Sequence, residues 1–221
     1  MIDALSASSG AMLAQMQHLD AVANDVANVD TDGYKSTASA VGAEISPNPA
    51  QGPLEQTDRP LDLAIEGSGY FQVQRPNGQV AVTRAGTFQL DPQGRLVTPS
   101  GDPLVPSLQL PAGIDPSAVS VASDGTVAAN GAPVGRIRLV TVPAPAGLIA
   151  NGDGTLSPTS ASGPVRPAGG SIQQGFVEGS NVDLADSMVG MIVAQRSFEA
   201  AASSFRTADE TFTSLLGVLH R

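Results

Sequence analysis

The sequence contains no cysteine, which excludes a disulfide framework and a metal site built on thiolates. Tryptophan is also absent, and aromatic residues make up only 4% of the chain. Lysine and arginine together number 11, against 21 aspartate and glutamate residues, which gives a net charge of −10 at pH 7. Proteins that bind nucleic acids neutralise phosphates with basic side chains, so this composition argues against a nucleic-acid partner.

The sequence also lacks long apolar runs. Its most hydrophobic stretch, residues 137–150, is interrupted by Arg138, Pro143 and Pro145 and is too short to cross a bilayer. The first residues have neither the basic start nor the continuous apolar segment of a cleaved secretion signal. We therefore expect no direct membrane insertion, and a chain that is either soluble or exported by a route that does not use such a signal.

Both ends of the chain carry apolar residues at heptad spacing, which is typical of helices that pack along a narrow seam. At each end, one series recurs every seven residues and a second series lies three positions earlier in each heptad. Gln195 and Asp209 are polar members of the C-terminal pattern, and we interpret them as contacts in a polar interface with several partners. The predicted assembly interface consists of Ile2, Leu5, Met12, Met16, Leu19, Val26, Leu184, Met188, Met191, Phe198, Phe205, Phe212, Leu216 and Leu219.

Between the two ends, the sequence has the signals of a β-rich region. Glycine (24 residues) and proline (17 residues) exceed average use. Pro76-Asn77-Gly78 separates two alternating segments, as in a β-hairpin, and residues 134–142 are predicted to form the longest strand. The predicted fold class is α+β, with long N- and C-terminal helices that pack as a coiled coil and a central, mainly antiparallel β domain.

The predicted domain boundaries follow these changes of pattern. The C-terminal helix is expected to have its N-cap at Asn181 or Asp183. The predicted divisions are the N-terminal helix and turn of a helical domain (1–35), an extended connector (36–60), a central β domain (61–178, loop-rich at 143–170) and the C-terminal helix of the helical domain (179–221).

The residues leave open what covers the apolar seams. Residues 1–35 carry five acidic residues against one lysine, and residues 183–221 carry five against three arginines, so both helices are net negative. Complementary ion pairs therefore do not pair these helices, and their many alanines allow close approach from several directions. The shared negative charge and the many alanines favour packing among many copies of the chain. An intramolecular two-helix hairpin is the alternative.

No segment predicts catalysis or metal binding. Residues 28–33 match the first positions of a calcium-binding loop, but Ser39 stands where a bidentate glutamate is required, so a polar helix terminator is the better interpretation. The two histidines, His18 and His220, lie on the terminal helices and are expected to be solvated. Gly67-Ser68-Gly69 lacks the third glycine and the following helix of a dinucleotide motif. The acidic pairs lie in no cleft motif, so we predict no catalytic residue, metal ligand or cofactor.

Three segments resemble the signatures of bacterial flagellar axial proteins, the rod and hook family. Residues 23–35 resemble the N-terminal signature A-N-N-x-A-N-x-x-T-x-G-[YF]-K, with Asp25 in place of the second asparagine. Residues 62–73, 83–88, 94–97 and Gly101 resemble the signature of the family's β domain, and residues 174–183 and 188–200 resemble its C-terminal signature. The residues that carry these motifs are Asn24, Asn28, Thr31, Gly33, Tyr34, Lys35, Gly67, Gly69, Phe71, Arg84, Gly86, Gly175 and Asn181.

The resemblance implies a structural protein of the flagellar basal body, not an enzyme. Such proteins are exported unfolded by the flagellar type III export apparatus, without a cleaved signal, and assemble with copies of themselves into a helical tube. The resemblance further implies that the terminal helices form an inner coiled-coil layer around a channel, that the β domain lies outside it, and that the tube transmits torque. Other rod and hook proteins are implied partners, whereas contacts with the ring proteins around the rod are left open.

Within the family, the likeness is greatest to the distal rod subunit, with which the chain shares residues 119–126 and the approach to Gly175. The connector between Lys35 and Leu61 is shorter than is usual for that subunit, so a proximal rod subunit or a hook-like paralogue is the alternative. On the residues alone, a soluble β-module with a helical oligomerisation stalk is the rival hypothesis, and an enzyme ranks third.

Overall fold

A computed structural model describes residues 2–38 and 46–219, which group into two compact units. The helical unit contains both long helices together with Thr37 and Ala38, and the β unit contains Asn28–Ser36 and Ser46–Val182. The turn that follows the first helix therefore belongs to the β unit, whereas the sequence pattern groups it with the helix.

The two helices are α1 (Ile2–Ala27) and α2 (Leu184–Leu219), and they pack against each other. Proline is absent from both, so each can keep its backbone hydrogen bonds along its whole length. Asp183 caps α2, because its Oδ1 accepts hydrogen bonds from the backbone N–H groups of Ala185 at 2.9 Å and Asp186 at 3.1 Å. The prediction of long terminal helices that pack together is confirmed.

The strands are short, as expected for a chain so rich in glycine and proline. The first eight are β1 (Thr37–Ala38), β2 (Ser46–Pro47), β3 (Leu54–Gln56), β4 (Leu63–Glu66), β5 (Tyr70–Gln74), β6 (Val80–Thr83), β7 (Gln89–Leu90) and β8 (Leu96–Val97). The other nine described strands are β9 (Val119–Val121), β10 (Thr126–Ala129), β11 (Ala132–Arg136), β12 (Leu139–Thr141), β13 (Ile149–Ala150), β14 (Thr155–Ser157), β15 (Arg166–Pro167), β16 (Ser171–Gln174) and β17 (Phe176–Glu178).

Strand pairing within the β unit is antiparallel, which confirms the predicted α+β class. The largest sheet has six strands in the order β13-β14-β6-β5-β12-β15, and a three-stranded sheet has the order β11-β10-β9. Three further pairs are β16 with β4, β17 with β3 and β7 with β8. The hairpin predicted around Pro76-Asn77-Gly78 is present as β5 and β6, with Gln74 opposite Val80.

Two hydrophobic clusters lie on opposite faces of the six-stranded sheet, because successive side chains of a strand point to opposite sides. Phe71 of β5 belongs to the larger cluster, where its ring meets that of Phe88 edge to face at 5.1 Å. Its neighbour Tyr70 belongs to the smaller cluster, together with Val82 and Leu156. The β unit therefore has a substantial core of its own.

One detail of the predicted β domain is wrong, and a second is incomplete. Residues 134–142 do not form one strand. The chain stays beside β10 as far as Ile137, whose N–H donates to the Gly125 carbonyl at 2.8 Å, and then passes into β12, which belongs to another sheet. Residues 143–170 lie mostly outside strands, but they also supply the short strands β13, β14 and β15 to the six-stranded sheet, which the sequence pattern did not indicate.

Candidate functional site

The three family-motif segments meet at one place in the β unit, which we call the motif junction (residues 33–36, 50–52, 84 and 178–181). The Gly33 N–H donates to the Glu178 carbonyl at 2.6 Å. The Ser36 N–H donates to Asn181 Oδ1 at 2.7 Å, and the Asn181 N–H donates to the Tyr34 carbonyl at 3.4 Å. The chain that leaves α1 thus runs beside the chain that leads into α2.

A buried group of three charged side chains lies at the centre of the motif junction. Glu178 Oε1 accepts a hydrogen bond from Lys35 Nζ at 2.5 Å, and Glu178 Oε2 accepts one from Arg84 Nη1 at 2.9 Å. The side chains of Lys35, Glu178 and Arg84 are 3%, 0% and 5% exposed. Charges removed from water to this degree are stable only when paired and hydrogen-bonded, so the three groups depend on one another.

Lys35 and Arg84 differ in the contacts they make besides Glu178. Lys35 Nζ also donates to the Ala50 carbonyl at 2.7 Å. Burial lowers the pKa of Lys35 below its ordinary value, and Glu178 opposes part of this shift by favouring the ammonium form. Arg84 also donates from Nη2 to the Gly67 carbonyl at 2.8 Å and stacks over the Tyr70 ring at 5.4 Å. Its Nε has no hydrogen-bond partner among the described residues.

Two motif glycines, one in the motif junction and one two residues after Arg84, allow backbones to approach closely. Gly33 has a φ of +68°, and a Cβ there would lie 2.3 Å from the Ala85 nitrogen. A Cβ at Gly86 would lie 1.7 Å from the Leu63 carbonyl oxygen. Both positions therefore require glycine, one for conformation and space and the other for space alone.

The remaining motif residues stabilise turns and the core. Thr31 Oγ1 donates to Asn28 Oδ1 at 3.1 Å in the turn after α1, and Asn24 is exposed on that helix. The Gly175 N–H donates to the Asp62 carbonyl at 2.8 Å. Gly69 has a φ of +139°. The structure thus brings Gly33, Lys35, Arg84 and Asn181 together, with Gly67 and Tyr34 bonded to them, but not Asn24, Phe71 or Gly175.

In the helical unit, small residues form the contact between α1 and α2. Ala21 and Val22 of α1 and Ala194 of α2 are buried, and a Cβ at Gly190 would lie 3.8 Å from Val22 Cγ2. The intramolecular helix pair is therefore present, so the alternative hypothesis is correct for this side of α2. Of the predicted interface residues, those partly covered are Met12, Leu19, Val26, Met191, Phe198 and Phe205.

The side of α2 away from Gly190 and Ala194 is apolar and exposed, and we call it the outer face (Met188, Val189, Ile192 and Val193). Leu184 is also exposed, but it lies one heptad before Met191 and so on the same side of the helix as Met191. Val189 and Ile192 are each 60% exposed, and Leu184 and Met188 are 45% and 56% exposed. Ile192 lies roughly 200° around the helix from Gly190, at 100° per residue. A helix that is apolar on both sides is suited to burial between two layers.

Other predicted helix residues do not face the helix contact or cannot be placed. Met16 is 50% exposed, and Gln195 and Asp209 are also exposed. The side chains of Ile2, Leu5, Phe212, Leu216 and Leu219 lie outside the described part of the structure, as do Ser39 and His220.

The described residues hold no group of three or more His, Asp or Glu side chains placed to bind a metal ion. Over the same residues, neither helix has a stretch apolar enough to serve as a membrane span. The candidate site thus consists of packing surfaces on α2 and the buried ion pairs of Lys35, Arg84 and Glu178. Such features suit a protein that attaches mechanically to its neighbours.

The sequence reasoning missed Glu178 and most of the outer face. Glu178 is a charged residue in the apolar strand β17, and Lys35 is the only lysine of the chain, so both were unusual enough to signal a special environment. Val189, Ile192 and Val193 fall between heptad positions, and a search for apolar residues on every side of α2 would have found them.

Comparison with known proteins identifies three matching family profiles. They are "Flagella basal body rod protein" over residues 5–35, "Flagellar hook protein FlgE/F/G D1 domain" over residues 64–129, and "Flagellar basal body rod FlgEFG protein C-terminal" over residues 173–218. Lys35, Arg84 and Glu178 lie one in each matched segment.

Curated proteins similar to the chain include flagellar basal-body rod proteins of several bacteria. The protein FlgG of Buchnera aphidicola subsp. Acyrthosiphon pisum is 32% identical, and the alignment covers 97% of this chain and 99% of that protein. FlgG of Caulobacter vibrioides is 30% identical over 95% of this chain and 96% of its own. FlgF of the same bacterium is 33% identical over 84% of this chain and 85% of its own.

Proposed function

The chain belongs to the flagellar basal-body rod and hook family, and we propose that it is the distal rod subunit, which polymerises through its helical unit into a hollow tube. It is a structural subunit of the flagellar basal-body rod and not an enzyme. It assembles with copies of itself and with other rod and hook components. The distal assignment is supported by FlgG relatives that align over nearly the full length of the chain.

The exposed outer face of α2 is the observation that carries the polymerisation proposal. The four large apolar side chains of the outer face are unfavourable in water. Complete burial of an exposed side chain of this size contributes roughly 1.5–3 kcal/mol, and about half of that remains to be gained by each, since they are 56–60% exposed. A neighbouring subunit in a tube would cover them, because equivalent helices repeat around its wall. The helical unit would then form an inner, coiled-coil layer and the β unit an outer layer.

Further partners follow from this proposal. The subunit would reach the rod through the flagellar type III export apparatus, and in the assembled rod it would face the surrounding ring proteins. We propose that the helices of the predicted helical domain (1–35 and 179–221) serve as the inner layer, the connector (36–60) as the crossing segment and the β domain (61–178) as the outer layer.

Replacing Ile192 with aspartate tests the polymerisation. The change places a charge in the middle of the outer face without touching the contact between α1 and α2, so the monomer should stay folded. We expect Ile192→Asp to abolish polymers in sedimentation and electron microscopy while the circular dichroism of the monomer is unchanged.

Ile149→Asp is the matched control, because Ile149 is 61% exposed on the β unit and Ile192 is 60% exposed on α2. This variant should polymerise like the wild type. Normal polymerisation of Ile192→Asp, or equal inhibition by both changes, would contradict the proposal.

The distal assignment is tested by adding purified hook protein to tubes of this subunit. We expect the hook protein to add directly to the tube end, as the end of a distal rod should permit. If addition requires another rod protein between them, the chain is a proximal subunit.

A further inference from the structure

We propose that Glu178 is a positioning residue for assembly. Its carboxylate connects the chain that leaves α1 to the chain that leads into α2. This connection affects polymerisation more than it affects the stability of the β unit. The inference rests on the proposed function, since it concerns how a rod subunit presents its helices. It assigns a role to the motif junction that is separate from the outer face of α2.

Both oxygens of the Glu178 carboxylate are occupied by donors from distant parts of the chain. Oε1 accepts from Lys35 Nζ and from the Gly52 N–H at 2.9 Å, and Oε2 accepts from Arg84 Nη1. An amide in this place would turn an NH₂ group toward one of these donors, so the site requires a carboxylate. One residue therefore connects the N-terminal motif, the connector and the central motif.

Backbone and side-chain bonds next to Glu178 extend the connection toward the helices. Asn181 Nδ2 donates to the carbonyls of Asn48 at 3.2 Å and Ala50 at 2.8 Å, while its Oδ1 accepts from the Ser36 N–H. Asn181 lies two residues before Asp183, the N-cap of α2. The last residues before α2 and the first residues after the turn of α1 are thus fixed at the same point of the β unit.

The charges of the motif junction are better suited to specifying geometry than to supplying stability. Replacing a buried ion pair by apolar groups of similar size is often neutral, because the desolvation cost disappears with the charges. Lys35 Nζ donates to Glu178 Oε1 and to the Ala50 carbonyl at 2.7 Å. Lys35→Met would leave neither acceptor without a partner, since Glu178 Oε1 still accepts from the Gly52 N–H and the Ala50 carbonyl still accepts from Asn181 Nδ2. The remaining Glu178–Arg84 pair is neutral overall, so the β unit should keep its stability.

The experiment compares Lys35→Met in the full chain with Arg95→Met, which removes a cation from the half-exposed Arg95–Asp91 pair elsewhere in the β unit. Hydrogen exchange at residues 33–36 should accelerate about tenfold or more in Lys35→Met, as loss of a charge-assisted hydrogen bond predicts. Exchange in β5 should stay unchanged, and the yield of sedimentable polymer should fall about tenfold. Arg95→Met should alter none of these quantities.

Three results would overturn the inference. Faster exchange at 33–36 with normal polymer yield would show that the motif junction does not govern assembly. Equal acceleration in β5 would assign Lys35 and Glu178 a role in stability alone, and unchanged exchange at 33–36 would show that their bond does not hold the junction. The Ile192→Asp variant separates the two proposals: if it fails to polymerise while Lys35→Met polymerises normally, only this inference is wrong.

Discussion

Asp32 illustrates how single residues near the motif junction are placed at some cost to stability. Burial raises the pKa of Asp32 above the ordinary value of 3.8, and the neighbouring Asp62 carboxylate raises it further against the opposing effect of Arg59. A carboxyl group with a raised pKa in the folded state binds its proton more tightly when folded. Its contribution to stability is therefore fully present below pH 3.8 and is lost as the pH rises through the folded-state pKa.

Asp32→Asn should consequently stabilise the β unit at neutral pH, because it removes a carboxylate that folding disfavours. We expect the melting midpoint at pH 7 to rise by at most a few degrees, since solvent screens a partly exposed charge. The difference from the wild type should shrink as the pH is lowered below 3.8, where the wild-type carboxyl group is itself neutral. A lower midpoint at pH 7, or a difference that does not depend on pH, would contradict this account.

Among the elements, those with strong local signals were predictable from the sequence. α1 and α2 follow from long apolar periodicity without proline, and the β5–β6 hairpin follows from Pro76-Asn77-Gly78 between alternating segments. The short strands β13, β14 and β15 were not predictable, because two or three residues of β structure in a Pro/Gly-rich segment become a strand only when the sheet edge is already there.

The candidate site was also predictable only in part, because local patterns identify some of its residues and not the contacts between distant ones. The heptad pattern identifies the side of α2 that carries Met191, Phe198 and Phe205, but a pattern restricted to one seam cannot reveal a second apolar side. The bond between Lys35 and Glu178 joins residues 143 positions apart, and no local rule of sequence predicts such a pairing. The family motifs mark Lys35 and Arg84 without indicating that they share one carboxylate.

At the scale of the whole molecule, the two units differ in how much they bury. The β unit encloses large side chains such as Phe71, Leu63 and Ile65, whereas the buried apolar residues described in the helical unit are Ala21, Val22 and Ala194. Burial of large side chains contributes far more to the free energy of unfolding than burial of alanine. A dilute monomer should therefore have a stable β unit and weakly held helices.

This difference predicts two separate thermal transitions. The chain has no tryptophan, and its two tyrosines, Tyr34 and Tyr70, both lie in the β unit, so near-ultraviolet tyrosine signals report that unit alone. We expect the helical signal at about 222 nm to disappear at a lower temperature than the tyrosine signal, since separate units unfold separately. Coincident transitions in dilute solution would contradict this prediction, because they would show that the helices are as thermally stable as the β unit.

The pairing of Gly33 with Glu178 also has a consequence for incomplete chains. A polypeptide cut short before residue 178 would possess the first helix, the sole lysine and most of the sheets, but it would lack the Glu178 carboxylate with which that lysine forms its ion pair. Its Gly33 N–H would also lack the Glu178 carbonyl that accepts its hydrogen bond. The ion pair of Lys35 can therefore form only after the chain has been synthesised beyond residue 178, so the segment that follows the first helix must wait for a strand far along the chain before its contacts are complete.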